Sequence, residues 1–214
     1  RLERRFGVTD PGIGTVRRLY FYTVSLAALV MAANGVVQII RYTLESLFGG
    51  DVISGSQSGL AVGMSLTLVG LPLWLFHWRM VQRHVGETPV ETRSLVRKFY
   101  FYLVLGISVG LLIASSVELL RWAFRLEEFK GWPWGSILIW GAVWVFHWRM
   151  ESEEGQTNDE TMGIRRIYLY AVSLGGIVMG ASGLGMIAHI VLSGGYDALI
   201  ARTVLLSDES GLWR

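Results

Sequence analysis

The chain is defined first by what it has little of. It contains no cysteine, which excludes disulfides, thiolate metal sites and cysteine nucleophiles. Charged residues make up 17% of its 214 positions, against about 25% in soluble domains. Lysine occurs only at Lys98 and Lys130, so arginine supplies nearly all the positive charge. There is no HExxH, no glycine-rich phosphate loop, no serine-centred elbow and no pair of aspartates in an apolar stretch. Metalloprotease, nucleotide and acyl-transfer chemistry therefore have no visible carrier, and the chain is not expected to be an enzyme.

What is abundant is apolar sequence: 52% of residues are hydrophobic and the mean hydropathy is +0.44. Five segments are long enough to cross a bilayer, which takes about 20 residues of helix. They run roughly over Leu19–Leu44, Gly59–Trp78, Phe99–Phe124, Trp132–Trp148 and Ile167–Leu192. The expected fold is all-α and polytopic. Pro72 lies inside the second segment and is expected to kink it.

The segments repeat. "RRLYFY" (Arg17–Tyr22), "RKFYFY" (Arg97–Tyr102) and "RRIYLY" (Arg165–Tyr170) open the first, third and fifth, and "FHWRM" closes the second (Phe76–Met80) and fourth (Phe146–Met150). With the first kind called A and the second B, the order is A-B-A-B-A, a tandem array of antiparallel hairpins. A Gly-x-Thr recurs at Gly7–Thr9, Gly86–Thr88 and Gly155–Thr157. "RLERRFGVT" lines up with "MVQRHVGET" (Met80–Thr88), so Arg1–Phe6 reads as the tail of an earlier B helix and the chain as a window on a longer array. The expected divisions are a link over 1–16, hairpins over 17–94 and 95–160, and an A helix with an extracytoplasmic segment over 161–214.

The pI near 9.1 does not point to nucleic acid, because the basic residues sit at the ends of apolar runs. Of the 19 Lys and Arg, Arg41, Arg121, Arg125, Lys130, Arg202 and Arg214 fall on one side; the other 13 (19 − 6) fall with the FHWRM and RRxYxY motifs. This bias predicts that the motif layer faces the cytoplasm in the inner membrane.

Tryptophan, tyrosine and arginine at a span end suit an interfacial anchor, since rings rest in the acyl boundary while polar tips reach headgroups. Arg17, Arg18, Tyr20, Tyr22, Trp74, Trp78 and Arg79 form one expected belt. Arg97, Lys98, Tyr100, Tyr102, Trp144, Trp148 and Arg149 form the next, with Arg165 and Arg166 beginning a third. Membrane lipids, anionic ones included, are the expected partners. His77 and His147 are equivalent by repeat, and two such imidazoles are candidate ligands of a haem or chlorophyll-type pigment. Against this, each lies at a span end beside an arginine. No cofactor is the main expectation, and a haem- or pigment-binding electron-transfer subunit is the alternative.

Inside the A helices, Gln38, Glu118 and Met186 occupy equivalent positions, followed three residues on by Arg41, Arg121 and His189. Glu118 and Arg121 share a face and are expected to pair. Met186 interrupts the pattern, which argues for packing over an ion relay, although a channel or transporter using Asn34, Gln38, Ser115, Ser116 and Glu118 remains a second alternative. Small residues recur one to two turns further in: Ala28, Ala32 and Gly35; Ser108 and Ser115; Gly176, Gly180 and Gly183. Such faces let helices approach closely in lipid. They predict lateral packing with the chain's own repeats, with copies of itself or with other membrane subunits.

The A helices opening with RRxYxY and the "LPLWLFHWRM" string at Leu71–Met80 together resemble a bacterial family of repeated paired transmembrane helices classed as a domain of unknown function. The second copy departs from the string, with Ala142 where the first has Pro72. The resemblance implies a membrane repeat and no particular chemistry.

Overall fold

A computed structural model describes residues 11–48, 56–87, 94–154 and 159–211. Its elements are five helices: α1 (Pro11–Phe48), α2 (Ser56–Glu87), α3 (Leu95–Ala123), α4 (Trp132–Glu154) and α5 (Asp159–Gly211). Among the described residues there is no strand. Among the described residues, four stretches are long and apolar enough to span a membrane: Val16–Phe48, Ser58–Arg83, Leu95–Ala123 and Met162–Tyr196. The fifth expected span, in α4, is not among them, because Trp132, Trp134, Trp140, Trp144 and Trp148 with His147 dilute its aliphatic content.

Several helices exceed their sequence-read bounds. α1 begins at Pro11, inside the expected 1–16 link. α2 runs through Pro72 unbroken and seven residues past FHWRM. α5 is a single helix of 53 residues extending to Gly211, beyond the span end expected at Leu192. The Gly-x-Thr at 7–9 lies outside the described residues, as do Thr88 and the link at 155–158.

The chain divides into two compact units, Arg1–Tyr168 and Leu169–Arg214. In the first, α1 packs on α2 and α3 on α4, and α1 also meets α4. Small residues explain the first contact. A Cβ on Gly70 would stand 2.7 Å from the Ala32 backbone nitrogen, and one on Gly35 would stand 2.6 Å from Thr67 Oγ1. One on Gly63 would meet Gln38 Cβ at 3.0 Å. Positions ascending α1 therefore meet positions descending α2, so the two helices run in opposite directions. Without Cβ atoms the backbones come close enough for dispersion to hold them in lipid, where no hydrophobic drive acts between helices. Gly131 and Gly135 do the same for α4, lying against the Arg41 and Val37 carbonyls, and Trp140 is buried with Ala33 and Val37.

α3 ends in a Schellman turn. Leu126 N–H donates to the Arg121 carbonyl at 2.9 Å and Arg125 N–H to the Trp122 carbonyl at 2.9 Å. Arg125 takes the left-handed conformation that closes it (φ 58°), a place usually given to glycine.

In the second unit, Gly176, Gly180 and Gly183 have nothing within 4 Å of an added Cβ, and the surrounding side chains are exposed.

Candidate functional site

The first turns of α3 place Arg97, Lys98, Tyr100, Phe101 and Tyr102 beside the last turns of α4, where His147, Glu151 and Glu154 share a face at i, i+4 and i+7. α1 adds Tyr22 and α2 adds Trp78 and Gln82. These groups form one polar cluster inside the helical block.

Arg97 is its centre and is 0% exposed. Its Nε donates to both Glu154 carboxylate oxygens at 3.0 Å, and Nη2 also bonds Glu154. Nη1 donates to Tyr22 Oη at 2.9 Å and Nη2 to Gln82 Oε1 at 3.3 Å. The guanidinium carbon lies 5.1 Å from the Phe101 ring centre, within cation–π range. Lys98, also 0% exposed, holds its Nζ 3.5 Å from Glu151 and 4.0 Å from Glu154 without a hydrogen bond of good geometry. Tyr102 donates to Glu151 Oε1 at 2.8 Å. Two cations thus meet two anions, and the buried net charge is zero. That balance is what allows ionised groups to stay out of water.

The Arg97, Lys98, Tyr22, Tyr100, Tyr102 and Trp78 side chains were expected to point outward as headgroup anchors; they are buried instead. For Arg97, Lys98 and Tyr102 the cause is Glu151 and Glu154, whose carboxylates meet them inside the block. Repeat 1 shows the contrast. Val81 and His84 stand where repeat 2 has Glu151 and Glu154, and there Arg17 stays exposed. Arg18 is partly buried. Tyr20, Arg79, Trp148, Arg149, Arg165 and Arg166 are exposed. The retrievable signal was the spacing of Glu151 and Glu154 on the His147 face.

The two histidines are built alike. His77 Nδ1 lies 2.8 Å from the Leu73 carbonyl, and His147 Nδ1 lies 2.8 Å from the Val143 carbonyl. A carbonyl only accepts, so each ring carries its hydrogen on Nδ1. His77 sits against Tyr20 and Phe21, His147 against Tyr100 and Phe101. Trp74 and Trp78 stack at 15°, Trp144 and Trp148 at 11°. The contacts at the two histidines are alike.

The arrangement does not suit a haem or pigment. His147 Nε2, the lone pair a metal would need, lies 3.3 Å from Tyr100 Oη and accepts its hydroxyl. The ring is fully buried and enclosed by Trp78, Tyr100, Phe101 and Phe146, which leaves no room for a macrocycle. Among the described residues, no group of three metal-ligating side chains occurs.

Four of the polar groups proposed for a conduit, Asn34, Ser115, Ser116 and Glu118, are also engaged. Asn34, Ser115 and Ser116 each bond the carbonyl four residues back. Glu118 pairs with Arg121 at 3.3 Å, as expected, and additionally with Lys130 at 3.0 Å. The packing residues Ala28, Ala32, Gly35, Ser108 and Ser115 are buried, whereas Gly176, Gly180 and Gly183 are not. Sequence analysis did not single out Gly63, Gly70, Gly131 or Gly135 as contact points.

The sequence model of one family, the domain of unknown function DUF5671, matches residues 18–128, just over half of the chain, and the chain belongs to that family. No curated protein and no solved structure matches it.

Proposed function

We propose that this family member is a non-enzymatic integral membrane protein, a structural or accessory subunit that packs laterally within a larger membrane assembly. In this reading all five helices span the cytoplasmic membrane as tandem antiparallel hairpins. The FHWRM and RRxYxY layer faces the cytoplasm, as the excess of basic residues on that side favours.

The observation that carries the reading is the closed, charge-neutral cluster around Arg97. It joins side chains from α1, α2, α3 and α4 and exposes no reactive group. A network in which each charge is met stiffens and specifies one packing; it does not turn over a substrate. The exposed glycine face of α5 adds a surface of the kind that α1 uses internally against α2.

Gentle detergent extraction followed by native mass spectrometry tests the proposal. Stoichiometric membrane subunits or further copies of the chain support it. A lone chain that also conducts ions in liposomes overturns it. Because the chain lacks cysteine, single introduced cysteines report topology without background. Ser152→Cys should react with impermeant maleimide only from the cytoplasmic side, and labelling from the outside would reverse the orientation.

A further inference from the structure

A second feature lies at the opposite end of the block, far along the helices from the Arg97 cluster. A cavity of about 540 Å³ is lined by Leu44, Phe48, Trp122, Phe129 and Trp134. Its four rings form a chain of edge-to-face contacts. Phe48 meets Phe129, Phe129 meets Trp122 and Trp122 meets Trp134, each at 5.9 Å between centres. Phe48, Trp122 and Trp134 nevertheless remain exposed, so the walls are open to an occupant. The volume is in the range of small-molecule sites, roughly 300–1,000 Å³.

The charges at this end are nearly all spoken for. Arg41 bonds Glu45, and Glu45 also accepts the Gly131 N–H. Arg121 pairs with Glu118, and Lys130 with Glu118 and Glu127. In the turn between Trp122 and Phe129, Arg125 and Glu128 have no such partner among the described residues. One cation and one anion are therefore left in the turn that joins two of the cavity's rings, at the ends of two spans, where hydrocarbon gives way to headgroups.

We propose that this cavity seats a zwitterionic phospholipid. Its acyl chain lies against Leu44 and the four rings, its phosphate meets Arg125, and its ammonium meets Glu128 and the aromatic faces. The balanced pair selects against an anionic lipid, which would gain Arg125 but meet Glu128 uncompensated. This site is independent of the scaffold role.

The test is native mass spectrometry of the whole delipidated chain, titrated with dioleoyl phosphatidylethanolamine or dioleoyl phosphatidylglycerol. One phosphatidylethanolamine should bind at least about 5-fold more tightly than phosphatidylglycerol, the scale of one desolvated charge contact of about 1 kcal/mol. Glu128→Gln should erase that preference. Arg125→Gly, which suits the left-handed backbone, should weaken both lipids. Trp122→Ala with Trp134→Ala should weaken phosphatidylethanolamine about 10-fold or more. Leu44→Trp fills the cavity while leaving every ring and charge in place; it should block binding with the unfolding midpoint preserved, which separates site loss from misfolding. Equal binding by Leu44→Trp and wild type, or tighter binding of phosphatidylglycerol by wild type, overturns the proposal.

Discussion

Removing the Glu154 carboxylate would strand the Arg97 guanidinium. In the folded chain Arg97 is fully buried and Glu154 receives both Nε and Nη2. After Glu154→Ala only two neutral acceptors remain, Tyr22 and Gln82, and neither offsets a desolvated positive charge. Breaking a buried pair from one side costs about 3–5 kcal/mol. Replacing both partners with apolar residues of similar length, Arg97→Met with Glu154→Leu, removes the charge as well as its compensation and should fall within about 1 kcal/mol of wild type. Lys98 keeps Glu151 at 3.5 Å in that double variant, so no net buried charge appears. With Arg97→Met and Glu154→Leu made singly as well as together, the coupling energy should therefore be at least about 3 kcal/mol. Arg121→Ala is the exposed control: its side chain is 51% accessible, and a surface pair contributes about 0–1 kcal/mol. Reversible unfolding in mixed micelles, followed by tryptophan fluorescence, measures each variant against wild type. A cost below about 1 kcal/mol for Glu154→Ala, or simple additivity of the two single changes, would show that Arg97 is solvated and would remove the physical basis of the closed cluster.

Further outcomes follow from other contacts. Gly70→Ala drives a methyl to 2.7 Å from the Ala32 nitrogen and should destabilise by about 1–3 kcal/mol in the same unfolding assay. Gly180→Ala meets open space and should be neutral or stabilising by up to about 1 kcal/mol in the isolated chain; Gly180→Leu should instead lower recovery of the assembled complex if α5 packs on a neighbour. Tyr102→Phe leaves Glu151 short of a buried donor and should cost about 1.5–3 kcal/mol. Arg125→Gly relieves a left-handed arginine and should raise stability by about 1 kcal/mol. Hydrogen bonds from Lys130 to Glu118 and then Glu127 hold its pKa above the ordinary 10.5. A raised lysine stabilises below its unfolded pKa and loses that contribution only as pH climbs through the folded value, so Lys130→Met should leave the shape of the stability profile between pH 6 and about 9 unchanged.

Helix class and the number of helices were legible along the chain, because both rest on local information. A run of about 20 apolar residues has to satisfy its backbone internally and so becomes helix in lipid, and the repeated RRxYxY and FHWRM strings mark equivalent ends wherever they fall. The approach of α1 to α2 was half legible: Ala28, Ala32 and Gly35 show a small face, but nothing local says that Gly63 and Gly70 are what meet it. The fate of the basic pairs was not legible from their own motifs. Arg17 and Arg97 sit in near-identical strings, yet one stays in contact with solvent and the other is sealed inside. The difference lies 57 residues downstream of Arg97, in a carboxylate at 154 that repeat 1 replaces with His84. Burying a charge is favourable only when an opposite charge arrives with it. Composition and periodicity therefore determined that this chain is all-helical, with helices apolar enough to span a membrane, while tertiary pairing alone decided which of its arginines stay exposed and which are sealed inside.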